Sequence, residues 1–294
     1  MRVFLTGATG FIGSAVIPEL IGAGHQVLGL TRSAAGAEAL VAAGAEPHRG
    51  DLEDLASLRA GAAASDAVIH CAFIHDFSKF QENSEIDRRA IETIGTVLAG
   101  SDRPFIVTSG VPWAPAGAMT EDTDCPANSP TPRVSEPAAM ALLSQGVSAA
   151  VMRLPQVHDT EKQGLVTPLI AIAREKGVSA YVGDGLNGWP AAHVSDVARL
   201  YRLALDQHKA GARWHAIGED GVSLKAIAEA IGRGLKIPVV SLTPDEAGAH
   251  LGFFGAFAGA DLSASSALTQ QRLGWRPTGP GMIADLDNMR WFET

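Results

Sequence analysis

Apolar residues along this chain fall into two alternating patterns. One is a short unbroken run: "RVFLTG", "QVLGLTR", "DAVIHCAF", "PFIVTSG" and, later, "SAAVMRL". Runs of this length fit strands buried on both faces, as in a parallel sheet. The other pattern spaces apolar residues at helical intervals: "FIGSAVIPELIGAG", "AAGAEALVAAG", "LEDLASLRAGA" and the segment near Glu82 to Ala99. "AEPHRGD" reads as a weaker third strand. Strands alternating with such helices predict βαβ units, and right-handed crossovers then give an α/β, Rossmann-type, doubly wound parallel sheet.

Beyond Gly110 the text changes. Residues 110–132 are rich in Pro, Ala, Thr and Asp, which predicts a loop over the sheet's carboxyl edge. A helix is expected from about Arg133 to Gln145, before "SAAVMRL". After Pro155 the pattern is irregular until "HVSDVARLYRLAL", an amphipathic helix, and "RWHAIG", a short strand. The C-terminal part reads as short helices with the turn-rich links "LKIPVV" and "GWRPTGPG", and "GFFGAFAGAD" as an irregular apolar segment. The expected division is a Rossmann domain of residues 1–157 with 190–218, and a smaller α/β lid of residues 158–189 with 219–294. No internal repeat stands out.

"TGATGFIG" places Gly7, Gly10 and Gly13 between a predicted strand and a predicted helix. Gly7 permits the tight turn, Gly10 lets a pyrophosphate approach the backbone, and Gly13 lets helix and strand pack closely. The helix N-terminus adds free N–H groups and a positive partial charge. This predicts a dinucleotide site; the plainer reading is a glycine turn with no ligand.

Composition narrows the options. The chain has 294 residues, 46 % of them hydrophobic, and a formal charge of -9. An acidic chain repels nucleic acid and anionic membrane, so neither is expected as a partner. Two cysteines, Cys71 and Cys125, make no disulfide framework and fit no zinc spacing. No signal peptide or membrane-spanning run is read, so a cytoplasmic location is expected. The nine histidines form no His-x-x-x-His or His-Glu-x-x-His pair, so no metal is expected.

The Gly-x-x-Gly-x-x-Gly spacing of "TGATGFIG" resembles the short-chain dehydrogenase/reductase superfamily, in particular its extended and atypical, NAD-dependent epimerase/dehydratase-like branches. The likeness runs along most of the chain. It implies nicotinamide-nucleotide contacts from Thr6, Gly7, Gly10, Phe11, Ile12 and Gly13. It implies an adenine contact from Asp51 with Leu52 in "GDLED", and a ribose-lining strand end at Cys71, Ala72 and Phe73 in "IHCAF". "VTSG" resembles the strand that carries the catalytic serine, here Ser109 beside Thr108. "RLPQVH", with Pro155, resembles the segment that touches the nicotinamide amide. "WPAAHVSDVARL" resembles a later family segment.

The second strand ends "GLTRS", with no acid to bind a ribose 2′-hydroxyl. Arg32, flanked by Thr31 and Ser33, can instead take a 2′-phosphate by charge-assisted hydrogen bonds. NADP(H) is therefore expected in preference to NAD(H), against the alternative that Arg32 is merely solvated.

In the family a Tyr-x-x-x-Lys pair follows the serine, and the tyrosine protonates the substrate oxygen. Here "SPTPRVSE" puts Pro132 and Glu136 at those positions, and the chain's two tyrosines, Tyr181 and Tyr201, lie far downstream. One reading keeps hydride transfer to a C=O or C=N group with another proton source. Ser109 would then bind the substrate oxygen, and Arg133 would stabilise developing charge. Glu136 would act as acid or organise a water, unless it pairs with Arg133. His158, His75 and His193 are candidate acids with a suitable ordinary pKa. A second reading is an inactive NADP(H) sensor. A third is a nucleotide-sugar epimerase or dehydratase, which leans hardest on the lost pair. His75, Phe77, Trp113, Tyr181, Trp189 and His193 are expected to wall an apolar substrate pocket. Family members often pair through the helices after the fourth and fifth strands, which leaves homodimer and monomer both open.

Overall fold

The computed structural model describes residues 1–112, 119–126 and 133–291. The expected Trp113 and Pro132 lie outside them. The first half alternates as predicted: β1 (Arg2–Thr6), α1 (Phe11–Gly22), β2 (Gln26–Thr31), α2 (Ala34–Ala42), β3 (Glu46–Arg49), α3 (Leu55–Ala63), β4 (Ala67–His70), α4 (Phe80–Leu98) and β5 (Ser101–Gly110). Then come α5 (Ser135–Ala141), a 3-10 turn over Leu142–Gln145, β6 (Val147–Leu154) and β7 (Gln156–His158). The second half holds α6 (Val166–Lys176), β8 (Ser179–Val182), β9 (Gly188–His193), α7 (Val194–Asp206), β10 (Arg213–His215), β11 (Glu219–Ser223), α8 (Leu224–Leu235) and β12 (Val239–Leu242). It ends with α9 (Pro244–Leu251), α10 (Ala267–Leu273) and α11 (Met282–Asp287).

Seven parallel strands form the main sheet in the order β10-β6-β5-β4-β1-β2-β3. The chain leaves β1 in one direction for β2 and β3, and returns on its other side for β4 to β6. That reversal opens a crevice above the carboxyl ends of β1 and β4, where open α/β sheets bind ligands. β1 is central, and Val3, Phe4 and Leu5 are fully buried. Burial of each such side chain contributes roughly 1.5–3 kcal/mol, which explains why the strand reads as an unbroken apolar run. One core lies between the sheet and α1, α2 and α7; the other lies beneath α3, α4 and α5.

A three-stranded sheet, β11-β9-β7, and a two-stranded pair, β12-β8, lie outside the main sheet. A third apolar core joins α6, α8, α9 and α11 to them. Leu273 and Trp275, late in the chain, pack instead into the α1–α7 core, with the Trp275 indole donating to the Asp196 carbonyl at 3.0 Å. The segment after Pro155, irregular to the eye, contains β7, α6 and β8.

Candidate active site

The glycine loop has the geometry its spacing requires. Gly7 sits at φ +67°, and a Cβ there would lie 2.8 Å from the Ala72 nitrogen. A Cβ on Gly13 would lie 2.1 Å from the Gly7 carbonyl oxygen. Gly10 starts α1, and neither a side-chain cap nor a first-turn acid competes for the first N–H groups. Phe11, Ile12 and Gly13 therefore present donors and a positive helix end to an anion, a fit for a dinucleotide pyrophosphate. Thr6 acts differently. It is fully buried, and its Oγ1 lies 2.8 Å from His70 Nδ1 and accepts from the Ala72 N–H at 3.2 Å. It roots the loop in β4.

At the expected adenosine end, Arg32 is exposed at the close of β2. Ser33 caps α2, its Oγ accepting from the Gly36 N–H at 3.0 Å, so its own proton remains free to donate. Thr31 is turned inward and buried, which removes it from the expected phosphate cluster. Asp51 spends Oδ1 on the N–H groups of Glu53 and Asp54, bracing the turn into α3. Leu52 is buried in the core beneath α3.

The expected reacting end lies on β5. Ser109 lies near its C-terminus and is 6 % exposed, and its hydroxyl has no hydrogen bond among the described residues. Beside it, Arg133 Nη2 donates to the Thr108 carbonyl at 3.4 Å, and Nε donates to Ser135 Oγ at 2.9 Å. The guanidinium lies 4.0 Å from the Phe73 ring centroid, a cation–π contact. Among the described residues no carboxylate stands within ion-pair distance of it, and only Nε and Nη2 carry hydrogen bonds. Burial holds the Arg133 pKa below its ordinary value, against the pull of Asp87 and Tyr201. Desolvation, and next the Arg133 charge, hold His75 below the ordinary imidazole value.

One tyrosine does return to this edge. Tyr201, on α7, is fully buried, with its hydroxyl 2.6 Å from Thr108 Oγ1. Burial raises its pKa well above the ordinary value, and its hydroxyl bond to Thr108 braces β5. Cys71 is pushed up to about 11 by burial, which removes a thiolate from consideration.

The remaining expected residues sit elsewhere. Glu136 does not pair with Arg133. Both of its oxygens accept from the Arg153 guanidinium, at 2.6 and 2.8 Å, and Oε1 also accepts from Arg213 Nε at 2.7 Å. That double ion pair favours the ionised carboxylate and ties it to β6 and β10. His158 is fully buried, 2.7 Å from Asp285 through Nδ1, with an unpartnered Nε2. A sealed imidazole has no path to a substrate. No contact among the described residues joins it to Ser109 or Arg133; its neighbours are His193, at 5.9 Å between ring centroids, and Glu219. His193 caps α7 through Nδ1, which accepts from the Ser195 N–H. Trp189 is fully buried in the third core, and Tyr181 packs near Gly185 beneath the Lys225 ammonium, so neither lines the crevice above β5. Phe77 bridges: it packs at 5.6 Å from Phe80 and stacks on Phe253 at 5.2 Å. Pro155 is partly buried between β6 and β7. Among the described residues no group of three or more His, Cys, Asp or Glu could hold a metal.

Sequence reasoning passed over His70, Asp87, Ser135 and Asp285. Each carries a polar side chain inside a segment read for its apolar neighbours, and the partners are distant in sequence. Asp87 in the α4 pattern carried a weak signal, a charge on the buried face.

Residues 3–217 match the NAD dependent epimerase/dehydratase family, and the chain belongs to it. It is 47 % identical to an uncharacterised protein, C2A9.02, of Schizosaccharomyces pombe, over 99 % of this chain and 100 % of that one. It is 25 % identical to a 4-hydroxy-2-methyl-3-oxo-4-farnesyl-3,4-dihydroquinoline-1-oxide ketoreductase of Stigmatella aurantiaca, covering 86 % of this chain and 80 % of the relative. The fold matches that of DesIV, a dTDP-glucose 4,6-dehydratase from Streptomyces venezuelae solved with NAD bound. The TM-score is 0.75 at 20 % identity, over 99 % of this chain and 97 % of that one. The family assignment agrees with the short-chain dehydrogenase/reductase resemblance that the glycine spacing carries.

Proposed function

We propose that this protein is an NADPH-dependent reductase acting on the C=O or C=N group of a small, apolar substrate without a tyrosine acid. The observation that carries it is the pair of donors at the carboxyl end of β5, Ser109 Oγ and Arg133 Nη1, neither of which has a hydrogen-bond partner among the described residues. The glycine-loop N–H groups would hold the pyrophosphate, and Arg32 with Ser33 the 2′-phosphate. The bound nucleotide would supply hydride. Ser109 and Arg133 would draw the charge that builds on the substrate oxygen or nitrogen, and preorganised donors of this kind are worth about 10²–10³ in rate each. Water entering the crevice would complete the reduction by protonating that atom; an iminium needs no such proton. Phe73, Phe77 and Phe80 give the neighbouring wall its apolar character. The similarity to a ketoreductase supports the direction, and the lost Tyr-x-x-x-Lys pair argues against epimerisation.

A sensor is the second reading, favoured by one observation: Glu136, at the position of the family lysine, is spent on Arg153 and Arg213. The two readings separate by mixing the protein with NADPH and a panel of aromatic ketones, enones and cyclic imines, and following the reduced nicotinamide's absorbance. Turnover that drops about 100-fold in Ser109→Ala is the result expected of a reductase. Tight NADPH binding with no turnover anywhere in the panel assigns the sensor.

A further inference from the structure

A buried chain of hydrogen bonds runs from the root of the glycine loop to Arg133, and its direction is fixed by chemistry. Arg133 Nε can only donate, so Ser135 Oγ accepts from it at 2.9 Å. The single Ser135 hydroxyl proton then goes to Asp87 Oδ2 at 2.5 Å. Asp87 Oδ1 accepts from His70 Nε2–H at 2.9 Å, and in the neutral ring His70 Nδ1 is then the acceptor for the Thr6 hydroxyl at 2.8 Å. Thr6 Oγ1 in turn accepts from the Ala72 N–H. Along this run each proton has one destination, and Thr6, His70, Asp87 and Ser135 are all satisfied. The members come from β1, β4, α4 and α5, and Thr6, His70, Asp87 and Ser135 are each at most 1 % exposed.

A carboxylate sealed at this depth is costly unless charge-assisted hydrogen bonds hold it. Asp87 has them from Ser135 and His70, and one bond further on stands the guanidinium that lacks a carboxylate of its own. Ser135 is the pivot. It is the first residue of α5, one past the Val134 N-cap, and its side chain turns to Asp87 and Arg133.

We propose that Asp87, acting through Ser135, is the positioning residue for Arg133, and that His70 and Thr6 tie this placement to the root of the glycine loop. The proposal rests on reading Arg133 as a substrate-oxygen donor, and two measurements separate a failure of one from a failure of the other.

The first needs no substrate. In arginine-15N-labelled protein with NADPH, the Arg133 Nε–H signal, identified by its loss in Arg133→Lys, should exchange slowly with water. Asp87→Asn and Ser135→Ala should each speed that exchange about ten-fold or more, the loss of one charge-assisted bond. Ser135→Thr should preserve the slow rate. Exchange that is unchanged in both variants overturns the positioning role.

The second uses a substrate found in the carbonyl panel. Ser135→Ala should lower kcat by about 100-fold, as misplaced catalytic groups do. It should leave the NADPH Kd within about 2-fold and cost nothing further in an Arg133→Ala background. Losses that add in the double variant overturn the proposal, since Ser135 would then act elsewhere. Full turnover in Arg133→Ala overturns the substrate role of Arg133 instead, and the exchange rates then judge the network by themselves.

Discussion

Arg32 and Arg133 are both guanidinium groups without a carboxylate partner among the described residues, yet they stand in opposite settings. Arg32 is exposed beside the cap of α2, and Arg133 is partly buried against Phe73. A dianionic 2′-phosphate suits the first. Arg32→Glu should therefore weaken NADPH binding at least ten-fold more than NADH binding, measured by nucleotide fluorescence; equal losses would end the assignment. Gly13 is decided by space rather than charge. Its missing Cβ would collide with the Gly7 carbonyl, so Gly13→Ala should push loop and helix apart. Overpacking of this kind costs roughly 1–3 kcal/mol, and calorimetry should find both a lower Tm and weaker NADPH binding. An unchanged Kd would mean that the loop does not grip the pyrophosphate.

At the scale of elements, Glu136 joins three of them. It stands on α5 and reaches Arg153 on β6 and Arg213 on β10, clamping the helix over the sheet edge. Removing one member leaves a buried charge uncompensated. Glu136→Ala should destabilise the protein by about 3–5 kcal/mol in urea titration. A cost below about 1 kcal/mol would show that the cluster relaxes to water. The same scale shows why α6 escaped the periodicity reading. Val166–Lys176 lies between stretches that read as loop, and Pro168 falls inside its first turn. Signals were available in that proline, in Arg174 and Lys176 near the end, and in Gly177 just beyond. α5 was legible as a helix, but its last turn tightens to a 3-10 form before Gly146.

For the molecule as a whole, titration should show in stability. Burial holds His158, His208 and His215 below the ordinary imidazole pKa. The unfolded chain then takes up protons before the folded one does. The stability held by these neutral rings is present above about pH 6.5 and is lost as the pH falls through it. The denaturation midpoint should accordingly drop between about pH 7.5 and 5.5; a midpoint that rises or stays level over that window would contradict the buried neutral rings. Among the described residues no helix is long and apolar enough to cross a membrane.

The chain's own order of apolar runs and glycines determined the doubly wound sheet, the strand–loop–helix at Gly7–Gly13 and the position of Ser109. These depend on local rules: strands buried on both faces must be apolar, and a turn at φ +67° favours glycine. Sequence also exposed the absence of Tyr-x-x-x-Lys. It did not reveal that Tyr201, 92 residues beyond Ser109, returns its hydroxyl to Thr108, or that Glu136 answers Arg153 and Arg213 instead of Arg133. Nor did it show the run from Thr6 through His70, Asp87 and Ser135 to Arg133. Those pairings join polar atoms brought together by packing from several elements, and a hydrogen bond between distant residues leaves no periodicity in the chain to read.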